Sequence, residues 1–231
     1  MNKKTQAEKV EENPEDYYGK KVNYTAPNGV NDWKIFYSDG RGIYLITSEY
    51  VDPTKLPEKD GVKPDQGNTA NYPKAARFNN ILTKYNGSSD ITDEKMKAFN
   101  RDYFDKNYTS GNNINFKAVA YMLDKEIWSE LYADSSVAEY AVGGPSVEML
   151  LKSYCITHSE KQDLYKSRAA NAMWLASPSA CGETYVMSGG YYGYVTYDYY
   201  SDTAVGFRPL VYLNSDISLK WNEVTQKYDI E

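Results

Sequence analysis

The chain has 231 residues, with 26 Lys plus Arg against 32 Asp plus Glu, one His and two Cys. A net charge of −6 and a pI near 5.0 argue against nucleic acid or anionic membrane as the main partner. One His and two Cys exclude by counting a His-rich metal centre and a four-Cys zinc site. The hydrophobic fraction of 41% fits a chain that folds around a core. Its aromatic content is skewed, with 24 Tyr against 6 Phe and 4 Trp.

Met1–Asp16 is polar and charged, with no apolar signal core. Residues 1–17 read as a polar tail, consistent with a chain from which an anchor has been removed, and residues 18–231 as one domain. No run approaches the roughly 18 apolar residues that cross a bilayer. Trp33–Tyr37 and Ile43–Thr47 are apolar strands joined by Ser38-Asp39-Gly40-Arg41-Gly42, a hairpin whose glycines supply positive φ. From Val51 to Tyr72 there are three prolines and no periodicity, which predicts a long surface loop.

The middle third has helical spacing. Lys74–Tyr85 stops at Asn86-Gly87, and a second helix starts at Thr92-Asp93-Glu94. Asn115–Leu123 and Lys125–Tyr132 are shorter. Gly143-Gly144-Pro145-Ser146 introduces a helix from Val147 to Tyr154, with Pro145 expected in its first turn. Beyond Arg168 the pattern changes to short strands at Trp174–Pro178, Thr184–Met187, Gly193–Thr196 and Phe207–Leu213, closing with a hairpin over Leu219–Ile230. Strands at both ends and helices between them predict an α+β fold in which the chain ends share a sheet.

Catalytic constellations are weak. Cys155 and His158 sit three apart on a helix with no third group to orient them. Asp198 and Asp202 share a short segment among tyrosines, where polar binding contacts fit better than an acid/base pair. A calcium site from Asp198, Asp202 and Asp216 has suitable oxygen ligands and no recognisable spacing. Gly143-Gly144 and Gly189-Gly190 read as turns. No cofactor and no metal is expected.

The tyrosine segment stands out. Tyr185, Tyr191, Tyr192, Tyr194, Tyr197, Tyr199 and Tyr200 are embedded in Gly, Ser, Thr and Asp. From Ser188 to Gly206 the bulky aliphatics are Val195 and Val205 alone, too few for a core strand pair. Rigid amphipathic tyrosines among small polar residues form the composition of a binding surface. The same stretch lacks Lys, Glu, Gln, Trp and Met, and every residue in it is reached from an AAC or AAT codon by changing only the adenines.

Trp174-Leu-Ala-Ser-Pro-Ser179, the tyrosine stretch, then Gly206-Phe-Arg-Pro-Leu-Val211 resembles the C-type-lectin-fold variable proteins of diversity-generating retroelements, within the formylglycine-generating-enzyme-like superfamily. Val22–Val30, Trp33–Tyr37 and Gly143–Met149 resemble Firmicutes surface proteins of prepilin-like type. The resemblance implies a C-type-lectin-like α+β fold with mixed or antiparallel sheets and a variable region at about 174–213. It implies a ligand-binding set of Tyr191, Tyr192, Tyr194, Tyr197, Asp198, Tyr199, Tyr200, Ser201 and Asp202. Trp174, Gly206, Phe207 and Arg208 would be scaffold, with Arg208 buried and hydrogen-bonded. Cys155 and Cys181 match no active-site motif of the oxidase branch. The expected protein is non-catalytic, binds a protein or glycan ligand and no nucleic acid, and lies at the cell surface or outside it, touching a membrane only through an anchor, with the cytoplasm as the alternative location. The alternatives are a pilin-like subunit whose tyrosine face is an assembly interface, and a carbohydrate-active or oxidase-type enzyme.

Overall fold

A computed structural model describes residues 3–51, 55–57, 114–157, 172–182, 185–190, 194–199, 202 and 204–231. The expected helices at Lys74–Tyr85 and from Thr92, most of the Val51–Tyr72 loop, and His158 lie outside the described residues, as does the Cys155 side chain.

The polar N-terminus is folded, in contrast to the expected tail. Helix α1 (Gln6–Glu12) opens on a reciprocal capping box, in which the Thr5 hydroxyl accepts from the Glu8 N–H and the Glu8 carboxylate accepts from the Thr5 N–H. Its two apolar residues, Ala7 and Val10, are buried in the core. A short helix, α2 (Pro14–Tyr17), follows with proline at its start, where an unpaired N–H is no loss. Strand β1 (Lys21–Val22) then leads toward the first hairpin.

That hairpin is β2 (Trp33–Ser38) and β3 (Ile43–Thr47), paired antiparallel with a bulge between Ile35 and Tyr37. Both strands are buried along their whole length, so the apolar runs mark an interior position. In the turn, the Asp39 carboxylate accepts from the N–H groups of Arg41 and Gly42, and Gly40 takes a φ of 77°. Ser38 locks α1 against the hairpin, its hydroxyl donating to the Ala7 carbonyl while its N–H donates to the Tyr18 hydroxyl.

Helices α3 (Ile114–Leu123) and α4 (Lys125–Tyr132) are separated by Asp124, whose carboxylate caps α4 through the N–H groups of Glu126 and Ile127. Strand β4 (Ala138–Val142) follows. Gly143 and Gly144 are close-approach positions more than a loose turn. A Cβ at Gly143 would strike the Trp128 ring, and one at Gly144 would come 2.8 Å from the Trp174 carbonyl oxygen. Helix α5 (Val147–Thr157) is capped by Ser146, which accepts from the Met149 N–H. Pro145 therefore stands before the cap and not in the first turn; its carbonyl accepts from the Ala176 N–H instead.

Two mixed sheets organise the rest. The larger runs β10 (Leu219–Asn222), β11 (Lys227–Ile230), β1, β2, β3, β9 (Leu210–Leu213), β4. Strand β11 lies parallel to β1, with Val22 opposite Tyr228, so the two ends of the chain do share a sheet. The smaller sheet runs β7 (Val195–Tyr199), β6 (Tyr185–Gly190), β5 (Ala172–Pro178), β8 (Val205–Gly206). Among the described residues β7 and the two-residue β8 are its edges.

Phe207–Leu213 differs from the single strand expected of it. Val205 and Gly206 end the smaller sheet beside β5, Phe207-Arg208-Pro209 crosses over, and Leu210 begins β9 in the larger one. The crossover is where the sheets share a core. Trp33, Trp128, Trp174, Phe36 and Phe207 are all essentially inaccessible and belong to one buried cluster spanning both sheets and the helices.

Candidate functional site

The tyrosine surface is built on the smaller sheet. Strand periodicity sends alternate residues to opposite faces, and the β6–β7 register places Tyr185 opposite Tyr199 and Met187 opposite Tyr197. Tyr185, Tyr197 and Tyr199 consequently share one face. The Tyr185 ring contacts both neighbours, at centroid distances of 4.9 Å to Tyr197 and 4.4 Å to Tyr199. Tyr194, Tyr197 and Tyr199 are 44%, 44% and 55% exposed, unlike the core tyrosines Tyr18, Tyr24 and Tyr132 at 2–4%. Rings at that exposure face solvent instead of filling an interior.

The phenol of Tyr185 is shifted toward higher pKa, chiefly by its hydrogen bond with Tyr199 and then by burial and the neighbouring hydroxyls. It stays a neutral donor at physiological pH.

Asp198 takes the other face, in register with Val186 and beside Ser188, both fully buried. Its carboxylate is half-buried and accepts a hydrogen bond from the Ser188 hydroxyl. Burial raises its pKa, the Ser188 bond opposes that shift, and the Asp202 charge adds to it. Asp202 closes a turn: its N–H donates to the Tyr199 carbonyl and its carboxylate accepts from the Ala204 N–H, at 2.8 and 2.7 Å. Asp198 thus turns away from the exposed rings, and Asp202 braces the turn that follows β7. Tyr191, Tyr192, Tyr200 and Ser201 lie outside the described residues.

The residues beneath this surface are held firmly. Asn115 on α3 is fully buried and donates from Nδ2 to the carbonyls of Ser179 and Gly182, at 2.9 and 3.0 Å, clamping the turn that enters β6. Cys181 in that turn is an exposed free thiol. Trp174 and Phe207 are buried at 0% and 1%. Gly206 leaves room for the Tyr50 ring, since a Cβ there would come 2.6 Å from Tyr50 Cδ1. Arg208 is completely buried and donates from Nε and Nη2 to the Thr47 carbonyl, joining the crossover to the end of β3. Sequence reasoning missed Asn115 and Tyr50. Neither lies in a motif, and each acquires its position from a segment more than 60 residues away.

Among the described residues no three His, Cys, Asp or Glu side chains gather as a metal site, and no helix is long and apolar enough to cross a membrane. Comparison of the chain with family models, curated proteins and solved structures returned no match.

Proposed function

We propose that this chain is a non-catalytic ligand-binding protein that displays a tyrosine-rich surface on a C-type-lectin-like scaffold, in the manner of the variable proteins of diversity-generating retroelements. The observation that carries this reading is the joint exposure of Tyr194, Tyr197 and Tyr199 on and beside the edge strand of a sheet anchored in the core. Tyrosine supplies large contact area with few rotors to freeze, so two exposed rings on a strand and a third beside it give affinity at low entropic cost. The absence of adenine-inaccessible residue types between Ser188 and Gly206 supports diversification of the same segment. The ligand is a protein or a glycan met at the cell surface.

The edge position of β7 favours one further reading. An unpaired strand edge is a template for pairing with another chain, and a pilin-like subunit would use the tyrosines as its assembly interface. Concentration-dependent self-association, lost on Tyr197→Ala and Tyr199→Ala, would favour that role.

Sequencing the DNA that flanks the gene tests the diversification. The expected finding is a reverse-transcriptase gene and a near-copy of the codons for residues 174–213 that differs only at adenines. Flanking DNA with neither would make this a protein of fixed specificity.

A further inference from the structure

Four tyrosines away from the exposed face of the smaller sheet stand in one row across the larger sheet. Tyr37 on β2 pairs with Tyr44 on β3, Tyr44 with Tyr212 on β9, and Tyr212 with Tyr140 on β4. Their ring centroids follow one another at 5.7, 4.8 and 4.8 Å. Cross-strand aromatic pairs stabilise a sheet by packing. Packing alone does not call for hydroxyls, however, and here those of Tyr44 and Tyr140 meet at 3.2 Å.

The last pair of the row differs from the others in geometry. Tyr140 and Tyr212 lie nearly parallel, with planes inclined at 16°, against 43° for Tyr37 with Tyr44 and 58° for Tyr44 with Tyr212. Both are partly exposed, whereas Tyr37 and Tyr44 are buried. Gly42 makes room for Tyr212, since a Cβ there would strike its ring. The Lys125 ammonium sits 3.5 Å over the Tyr140 ring and restrains it further. Two phenols are thus held face to face and remain within reach of a small diffusible reagent. Another stacked pair, Tyr17 with Tyr228, is wider at 5.5 Å and less parallel at 26°.

Rings held this way are set up for radical coupling. Burial raises the pKa of Tyr44, Tyr140 and Tyr212, so each enters as a neutral phenol. One-electron oxidation removes an electron together with the phenolic proton and leaves a phenoxyl radical with spin on its ortho carbons. Two such rings in a parallel stack join through those carbons, and the two displaced ring hydrogens move to the oxygens and restore both phenols. In balance, one C–C bond replaces two C–H bonds, and two electrons and two protons leave. A peroxide accepts the electrons as its O–O bond breaks; hydrogen peroxide then gives two waters. Holding the rings in contact replaces the chance encounter that the coupling otherwise needs.

We infer that Tyr140 and Tyr212 form a site of oxidative cross-linking, which closes to an intramolecular dityrosine when a one-electron oxidant regenerated by a peroxide is present. Among the described residues β4 is an edge of the larger sheet with β9 as its neighbour, and the link ties that edge covalently in place. The inference does not rest on the ligand-binding reading of the smaller sheet.

Irradiating the intact chain with tris(bipyridine)ruthenium(II) and persulfate, whose O–O bond takes the two electrons, tests this directly. The monomer fraction should gain dityrosine fluorescence, lose the mass of two hydrogens, and yield on proteolysis a peptide that joins Tyr140 to Tyr212. Tyr140→Phe and Tyr212→Phe keep the rings and lose the phenols, so each should abolish that peptide. Tyr228→Phe should leave its yield unchanged. Oxidation in denaturing urea should also abolish it, because the rings are then no longer held together. A monomer that yields no such peptide would overturn the inference. So would a peptide that persists in either ladder variant or in urea, or a link found at Tyr17 and Tyr228 or at Tyr185 and Tyr199 in its place.

Discussion

Tyr185 and Tyr199 face each other across adjacent strands, with ring centroids 4.4 Å apart and planes inclined at 44°. Tyr185 is the less exposed of the pair and also touches Tyr197 edge-on. One ring therefore fixes two exposed ones, so the surface is organised before any ligand arrives. Removing Tyr199 gives up that contact and little else. Tyr199→Ala should cost less than about 1 kcal/mol in denaturant unfolding, whereas Trp174→Ala, fully buried beneath the same sheet, should cost about 3–5 kcal/mol.

Arg208 offers a sharper structural test. Its guanidinium is completely inaccessible and ties the crossover between the sheets to the Thr47 carbonyl. Arg208→Ala would leave both a cavity and an unpaired carbonyl, at a cost of about 3 kcal/mol or more. Arg208→Lys keeps the charge and loses the planar fork, so it should recover only part of that loss. Thermal unfolding of the two variants reads the difference.

The Asp198 carboxyl gives a pH dependence with a defined sign. Burial raises its pKa in the folded chain above the ordinary carboxylate value, so the folded state holds the proton more tightly than the unfolded state. Between those two values stability falls as pH rises, and the penalty is complete above the folded pKa. Asp198→Asn still accepts from Ser188 and carries no charge. It should be more stable than wild type at neutral pH, with the gap closing as pH drops toward 4. Urea unfolding across that range measures it, and a gap that widened on acidification would reverse the assignment.

Residues 6–12 should behave as part of the fold. Val10 is completely buried and Ala7 receives the Ser38 hydroxyl bond, so Val10→Ala should destabilise by about 2 kcal/mol. A polar tail would tolerate the same change without effect.

The hairpin at Trp33–Thr47 was legible because two apolar runs flank a five-residue turn containing two glycines. The helix after Gly143-Gly144 was legible from its glycine and proline start, but the reading set Pro145 in the first turn, where Ser146 is the cap. Helix α1 was harder, since only Ala7 and Val10 carry its apolar stripe. The signal that could have found it is the spacing of Thr5 and Glu8, a capping box inside an otherwise charged stretch. Chain-end pairing followed from the placement of strands at both termini. Its parallel sense, with Val22 beside Tyr228, is a long-range register that no local pattern encodes. Within the tyrosine segment, composition marked the surface, while strand alternation turned Asp198 away from Tyr197 and Tyr199. Alternation was readable in principle, but only once the strand bounds Val195–Tyr199 were known.

The most direct measurement is binding of the labelled chain to arrays of glycans and surface proteins, run beside the Tyr197→Ala/Tyr199→Ala double variant. The account predicts a selective signal that the double variant loses by at least about ten-fold, with a melting temperature within about 4 °C of wild type. Binding that survives the double substitution, or a melting temperature that collapses with it, would contradict a ligand-binding role for the tyrosine surface.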